Sequence, residues 1–81
     1  MEKTEIEKRL RTIVVDKLGV DEAEVTADKN LKNDLGADSL DAVEIIMDVE
    51  KEFNIGIPDS QAEKLETFQQ LVDHVQSQLK N

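Results

Sequence analysis

Cysteine, tryptophan and tyrosine are absent from this 81-residue chain, and histidine and proline each occur once. Without a thiol there is no disulfide frame, thiolate metal site or cysteine nucleophile. His74 alone cannot build a two-histidine metal face, so no metal site is expected. Long apolar runs are missing too. Met1-Glu2-Lys3 leads into a charged segment, so neither a signal peptide nor membrane insertion is expected, and a reducing, cytoplasmic setting is the simplest one. Basic residues are scarce: 10 Lys plus Arg against 19 Asp plus Glu leave a formal charge of −9, a field that repels phosphate backbones and excludes nucleic acid as a partner. The length fits one domain, residues 1–81, and is too short for most enzyme scaffolds.

Aliphatic bulk and charge are what the chain does have. Hydrophobic side chains are 38% of the sequence and Phe53 and Phe68 the only aromatics, so the core has to be built from Val, Ile and Leu. Ile6, Leu10, Ile13, Val14 and Leu18 recur at helical spacing behind Thr4-x-x-Glu7, which reads as a capping box; a first helix is expected from about Thr4 to Leu18, ended by Gly19. No period persists from Val20 to Asp38. Val25, Leu31 and Leu35 are spaced as anchors pinning a long loop, ordered by burial rather than by backbone ladders, with a short helical turn around Asp21 to Glu24. Ser39 to Phe53 contains neither Gly nor Pro and reads as the second helix, ended by Asn54 and Gly56. Pro58 bars continuation, and Asp59 is expected to cap a short third helix carrying Ala62 and Leu65. Thr67-x-x-Gln70 is a second capping box, opening a last helix whose inward stripe is Phe68, Leu71, Val72, Val75 and Leu79. The expected fold class is all-α: a small up-down bundle of three main helices and one short one, with a long ordered loop between the first two.

The second helix has two apolar faces. At about 100° per residue, Ala42, Ile45, Ile46, Val49 and Phe53 share one arc, the core face, while Leu40, Val43 and Met47 fall in another. Asp41, Glu44, Asp48 and Glu52 border the second arc, and one helix of a small bundle cannot bury both. An exposed aliphatic trio rimmed by carboxylates has the make-up of a protein-docking surface. The alternative for Val43 and Met47 is that they fill gaps under the long loop. Charge is concentrated in the same region, with ten acids against two lysines from Asp34 to Glu66. That field suits basic partners whose association weakens with salt.

Candidate chemistry narrows to one residue. Paired carboxylates are plentiful, but acid–base catalysis needs a cleft to shift their pKa values. Asp28-x-Asn30-x-Lys32 fails as a calcium loop, because Asn33 stands where the turn glycine belongs and Lys32 at a ligand position; these residues read as turn formers. Ser39 either caps the second helix, as Asp38 also could, or offers its hydroxyl at the positive end of a helix dipole, a favourable place for a phosphate ester. In the latter case it is modified by another enzyme, with no base of its own nearby in sequence.

Asp34-Leu35-Gly36-Ala37-Asp38-Ser39-Leu40-Asp41 resembles the phosphopantetheine attachment motif of acyl carrier proteins. The likeness runs through Leu18-Gly19-Val20, the long loop, Glu50-Lys51-Glu52-Phe53, Ile57-Pro58-Asp59 and Ala62-Glu63-Lys64. It implies a free-standing carrier of the dissociated, bacterial or organellar type, without catalysis of its own. Ser39, flanked by Asp38, would take a 4'-phosphopantetheine arm from coenzyme A, installed by a holo-carrier synthase. Growing acyl chains would ride as thioesters among malonyl transacylase, ketoacyl synthases, reductases, dehydratase and acyltransferases of fatty acid biosynthesis. Leu40, Asp41, Val43, Glu44, Met47 and Asp48 would be docking residues, and Ile45, Ile46, Val49, Ile57, Ala62 and Leu65 the lining of an acyl-chain site. The protein is expected to be a monomer. Gly56 and His74 depart from the usual pattern, which often has a larger residue and a tyrosine there. Two alternatives stay open: a specialised carrier for polyketide, lipopeptide or cell-wall acylation, and a non-catalytic helical adaptor in which Ser39 is only a cap.

Overall fold

Ile6, Leu10 and Val14, spaced by four, share the one fully buried face of α1 (Lys3–Leu18). In the computed structural model, which describes residues 2–79, this stripe packs against both α2 (Ser39–Phe53) and α4 (Phe68–Leu79). A fourth helix, α3 (Asp59–Ala62), is a single turn between α2 and α4. Ile45, Val49 and Phe53 enter the core from α2, and Phe68, Leu71, Val72 and Val75 from α4. Val25, Leu31 and Leu35 are buried under the long loop, and its helical turn is a 3-10 turn over Glu22–Glu24. The all-α bundle is as the helical periodicity predicts, and Val25, Leu31 and Leu35 are buried as expected of anchors for a loop without a period. Among the described residues no polar or charged side chain is buried, so the interior is aliphatic apart from the two phenylalanines.

The helix ends follow local chemistry, with two corrections. At α4, Gln70 donates its amide to Thr67 Oγ1 at 3.2 Å and its side chain accepts the Thr67 amide at 2.9 Å, the reciprocal box read from the sequence. At α1, however, Glu2 is the extended residue (φ −74°, ψ 152°), and its carbonyl accepts the Glu5 and Ile6 amides at 3.1 Å each. Helical bonding therefore already includes Thr4, which makes no box with Glu7. At α3, Pro58 holds the cap position and its carbonyl accepts the Gln61 and Ala62 amides at 2.9 Å, so Asp59 is the first helical residue and not the cap. The next bonds, Lys64 to Gln61 and Leu65 to Ala62, are tighter three-residue turns, which leaves Leu65 beyond the helix.

The loop between α1 and α2 is held by more than burial. Leu31 donates to the Glu66 carbonyl at 2.9 Å, Phe68 to Lys29 at 3.0 Å and Gln69 to Ala27 at 2.9 Å, with one antiparallel bridge between Asn30 and Thr67. The first amides of α4 have no preceding turn to bond, and the loop carbonyls accept them. This corrects the expectation of an order without backbone pairing.

Asn54, at φ 55°, ends α2, and Gly56 does not use the left-handed region. A Cβ on Gly56 would meet nothing within 4 Å. Gly56→Ala is therefore expected to stabilise the protein by about 0.4–1 kcal/mol, by restricting the unfolded chain. Gly36 sits at φ 81°, and Gly36→Ala is expected to cost about 1–2 kcal/mol. Urea midpoints of the two variants, moving in opposite directions, check this.

A formal charge of −9 on so small a body opposes compactness. Salt also screens the favourable ion pairs, but exposed pairs contribute only about 0–1 kcal/mol, so relief of repulsion wins. The thermal midpoint is expected to rise with added salt or divalent cation, by ~4–8 °C for each ~1 kcal/mol gained. A flat or falling calorimetric midpoint would contradict this.

Candidate functional site

Asp38, extended at φ −89°, ψ −177°, caps α2: its Oδ1 accepts the Asp41 amide at 2.8 Å, and Asp41 Oδ2 accepts the Asp38 amide at 3.3 Å. Two aspartates thus form the capping box, and the cap that sequence left open between Asp38 and Ser39 belongs to Asp38. Gly36, in its left-handed conformation, turns the chain so that Ala37 is buried and donates to the Leu31 carbonyl at 2.9 Å. Ser39 is then the first residue of α2, exposed, with no hydrogen bond to its hydroxyl among the described residues. Its amide and that of Leu40 have no earlier turn to bond, and they lie at the positive end of the helix. An exposed, uncommitted hydroxyl beside such amides fits a phosphate ester on Ser39 Oγ.

Past Ser39 the helix divides its faces. Ile45 and Val49 are fully buried, and Ala42 and Ile46 half-buried. Leu40, Val43 and Met47 are 65%, 55% and 49% exposed, which rules out the gap-filling alternative for Val43 and Met47. Asp41, Glu44 and Asp48 flank this strip. Lys17, on α1, reaches Glu44 at 3.1 Å and Asp48 at 3.7 Å, while Arg9 bridges Glu52 at 3.2 Å and Glu5 at 3.0 Å. The hydrogen bond to Glu44, with the charges of Glu44 and Asp48 behind it, holds the Lys17 ammonium above the ordinary lysine pKa. The acid field is thus partly neutralised along its α1 border, a pairing across 27 to 43 positions of sequence that no local pattern announces.

A groove of about 640 Å³ opens beside Ser39, well within the range of ligand-sized clefts. Ala42, Val43, Ile46, Met47 and Glu50 of α2 form one side; Ile57, Ala62 and Leu65 form the other, with Leu31 to Asn33 at one end. Of the six residues read as lining, Ile46, Ile57, Ala62 and Leu65 border this groove. Ile45 and Val49 lie outside it, fully buried in the core. Val43 and Met47 serve both the exposed strip and the groove, and Glu50 was missed. The spacing Val43, Ile46, Met47, Glu50 is a helical stripe, and that signal was available.

Elsewhere the singled-out residues are occupied by structure. Asn30 Oδ1 accepts the Lys32 and Asn33 amides at 3.0 Å, Asp34 accepts the Asn30 amide at 2.8 Å, and Asp28 accepts the Thr26 hydroxyl at 2.8 Å, a bond that lowers the Asp28 pKa. They are turn formers. His74 is half-buried on α4, which contributes nothing to the groove lining, and among the described residues its Nε2 has no hydrogen-bond partner.

A family model described as the phosphopantetheine attachment site matches residues 8–75. An acyl carrier protein of Porphyromonas gingivalis is 49% identical over 77 residues, which is 95% of this chain and 99% of that one. Another, from Guillardia theta, is 51% identical over 75 residues, 93% of each chain. Among solved structures, an acyl carrier protein from Enterococcus faecalis matches with a TM-score of 0.83 and 33% identity, covering 96% of this chain and 99% of that one. On these matches the chain belongs to the acyl carrier protein family, whose members bear phosphopantetheine and carry acyl groups without catalysing a reaction themselves.

Proposed function

We propose that Ser39 is the point at which this chain is phosphopantetheinylated, and that it shuttles growing acyl chains among the enzymes of fatty acid biosynthesis in the cytoplasm. The observation that carries this is the position of Ser39: first in α2, its hydroxyl exposed and unbonded, at the edge of an apolar groove. Bound phosphopantetheine supplies a terminal thiol for a thioester, which a chain without cysteine cannot offer from its own side chains. Ser39 Oγ would attack the phosphorus that carries the pantetheine arm, with the nucleotide half of coenzyme A as leaving group; no side-chain base is hydrogen-bonded to Ser39 Oγ among the described residues, so its proton passes to a base on the transferase. The free amides of the first turn then face the phosphate. The groove between α2 and residues 57–65 shelters the acyl chain from water.

Leu40, Val43 and Met47, with Asp41, Glu44 and Asp48 around them, form the surface on which partners dock in turn. The apolar centre contributes affinity, and the acids steer basic patches of a phosphopantetheinyl transferase, malonyl transacylase, ketoacyl synthases, reductases, dehydratase and acyltransferases. Among the described residues no helix is long and apolar enough to cross a membrane. Incubation with coenzyme A and a broad-specificity phosphopantetheinyl transferase, followed by intact mass spectrometry, tests the reading. One added arm, which then accepts an acyl group and releases it to hydroxylamine, is the expected result; an unchanged mass would overturn it.

A further inference from the structure

Among the described residues, hydrogen bonds fasten the wall of the groove opposite α2 at only two places, and apolar packing of Ile57, Ala62 and Leu65 does the rest. Hydrogen bonds involving residues 58–65 all close within that stretch and its neighbour Glu66, and α3 half-buries only Ala62 in its single turn. Beyond that stretch, the Glu66 carbonyl takes the Leu31 amide at 2.9 Å, a backbone bond that needs no particular side chain. Before it, the Ile57 amide donates to Glu50 Oε2 at 2.8 Å. Pro58 has no amide to give and Gly56 no side chain, so Glu50 is the hydrogen-bonded fastening on that side, next to the buried Ile57 side chain. The same residue accepts the Asn54 and Ile55 amides at its carbonyl, and its carboxylate lies in the groove lining.

We infer that Glu50 is a positioning residue that sets the width of the groove, and with it the length of unbranched acyl chain that the groove shelters. The inference rests on the carrier reading above. A hydrogen bond to a carboxylate is of the strong kind, and its loss leaves the Ile57 amide unpaired at the edge of an apolar space. That amide then turns to water, and because residues 58–65 have no hydrogen bond to α2 among the described residues and are otherwise held by the packing of Ile57, Ala62 and Leu65 alone, the wall loosens with it. Segments with so few bonds sit at the low-stability end of a protein and open without global unfolding. Glu50→Ala leaves the helix itself intact, since alanine is the stronger helix former. Glu50→Gln keeps a side-chain oxygen at the same reach.

Two measurements test this. In the unmodified protein, amide hydrogen exchange at Ile57 should quicken about tenfold or more in Glu50→Ala, with Leu71 and Val72 unchanged, and stay within about twofold of the parent in Glu50→Gln. In the acylated protein, protection of the thioester from hydroxylamine should shift from shorter toward longer saturated chains in Glu50→Ala, while Glu50→Gln follows the parent. Unchanged exchange at Ile57 in Glu50→Ala overturns the inference, as does an unchanged chain-length profile in a variant whose Ile57 exchange has risen. A parent protein that never gains the arm overturns the carrier reading and this inference together, and its mass tells that case apart.

Discussion

Ser39→Ala is expected to abolish phosphopantetheinylation completely, with helicity and thermal midpoint close to those of the parent. The two halves of that result follow from different features. The hydroxyl is the acceptor of the arm in the proposed reading, and without Oγ there is nothing to esterify. The fold survives because the Ser39 hydroxyl makes no hydrogen bond among the described residues: the cap of α2 is Asp38, through the Asp41 amide. Alanine at an exposed first helical position is at least as favourable as serine, within a few tenths of a kcal/mol. Asp38→Ala is the contrasting variant. It removes the cap at a cost of about 1 kcal/mol, leaving the Asp41 amide without its side-chain acceptor, while the backbone amide at position 38 can still donate to Asp41 Oδ2. In the adaptor alternative, where Ser39 is a structural cap, the pattern reverses: Ser39→Ala would lower the midpoint and no mass would ever be gained. Ser60 and Ser77 are the other serines, and Ser77 already donates to the His74 carbonyl at 2.8 Å. A mass gain persisting in Ser39→Ala would move the attachment to another hydroxyl and refute the assignment.

The parts of the fold legible in the sequence are those set by neighbours three or four positions apart. The stripes of α2 and α4 and the Thr67–Gln70 box are of that kind, while the anchors Val25, Leu31 and Leu35 were legible as isolated large apolar residues in an otherwise polar stretch. Exposure of Leu40, Val43 and Met47 followed from one geometric constraint, that a helix in a small bundle has room for a single buried face. What stayed hidden depends on contacts between distant segments. The Leu31 to Glu66 bond, the pairing of Asn30 with Thr67, and the reach of Lys17 across to Glu44 exist only once the helices have packed. Glu50 is intermediate: its place on the groove stripe was readable, but its bond to Ile57 depends on how the chain turns after Asn54. Thr4 shows the opposite failure, a correct local motif overridden because the Glu2 carbonyl captures the Ile6 amide first.

Reversing two charges, Glu44→Lys with Asp48→Lys, is expected to slow acyl transfer to a condensing enzyme about ten- to a hundredfold at low salt, within the roughly 10- to 1,000-fold that electrostatic steering spans. The loss should shrink as salt is added, because the steering itself is screened. Lys17 complicates the variant and supplies its control. In the parent it pairs with both acids and stays charged, its raised pKa keeping that contribution present at neutral pH and losing it only as pH climbs through the raised value. Two new lysines beside it would repel it and lower the midpoint modestly, since solvent screens exposed pairs. Adding Lys17→Glu rebuilds the same pairs with their signs exchanged. The triple variant should therefore regain the midpoint while transfer remains slow, because the partner's basic patch still meets lysines. Recovery of transfer along with stability would mean that the acids matter for folding and not for docking. Parent-like rates in the double variant at low salt would remove the docking role from this edge of α2.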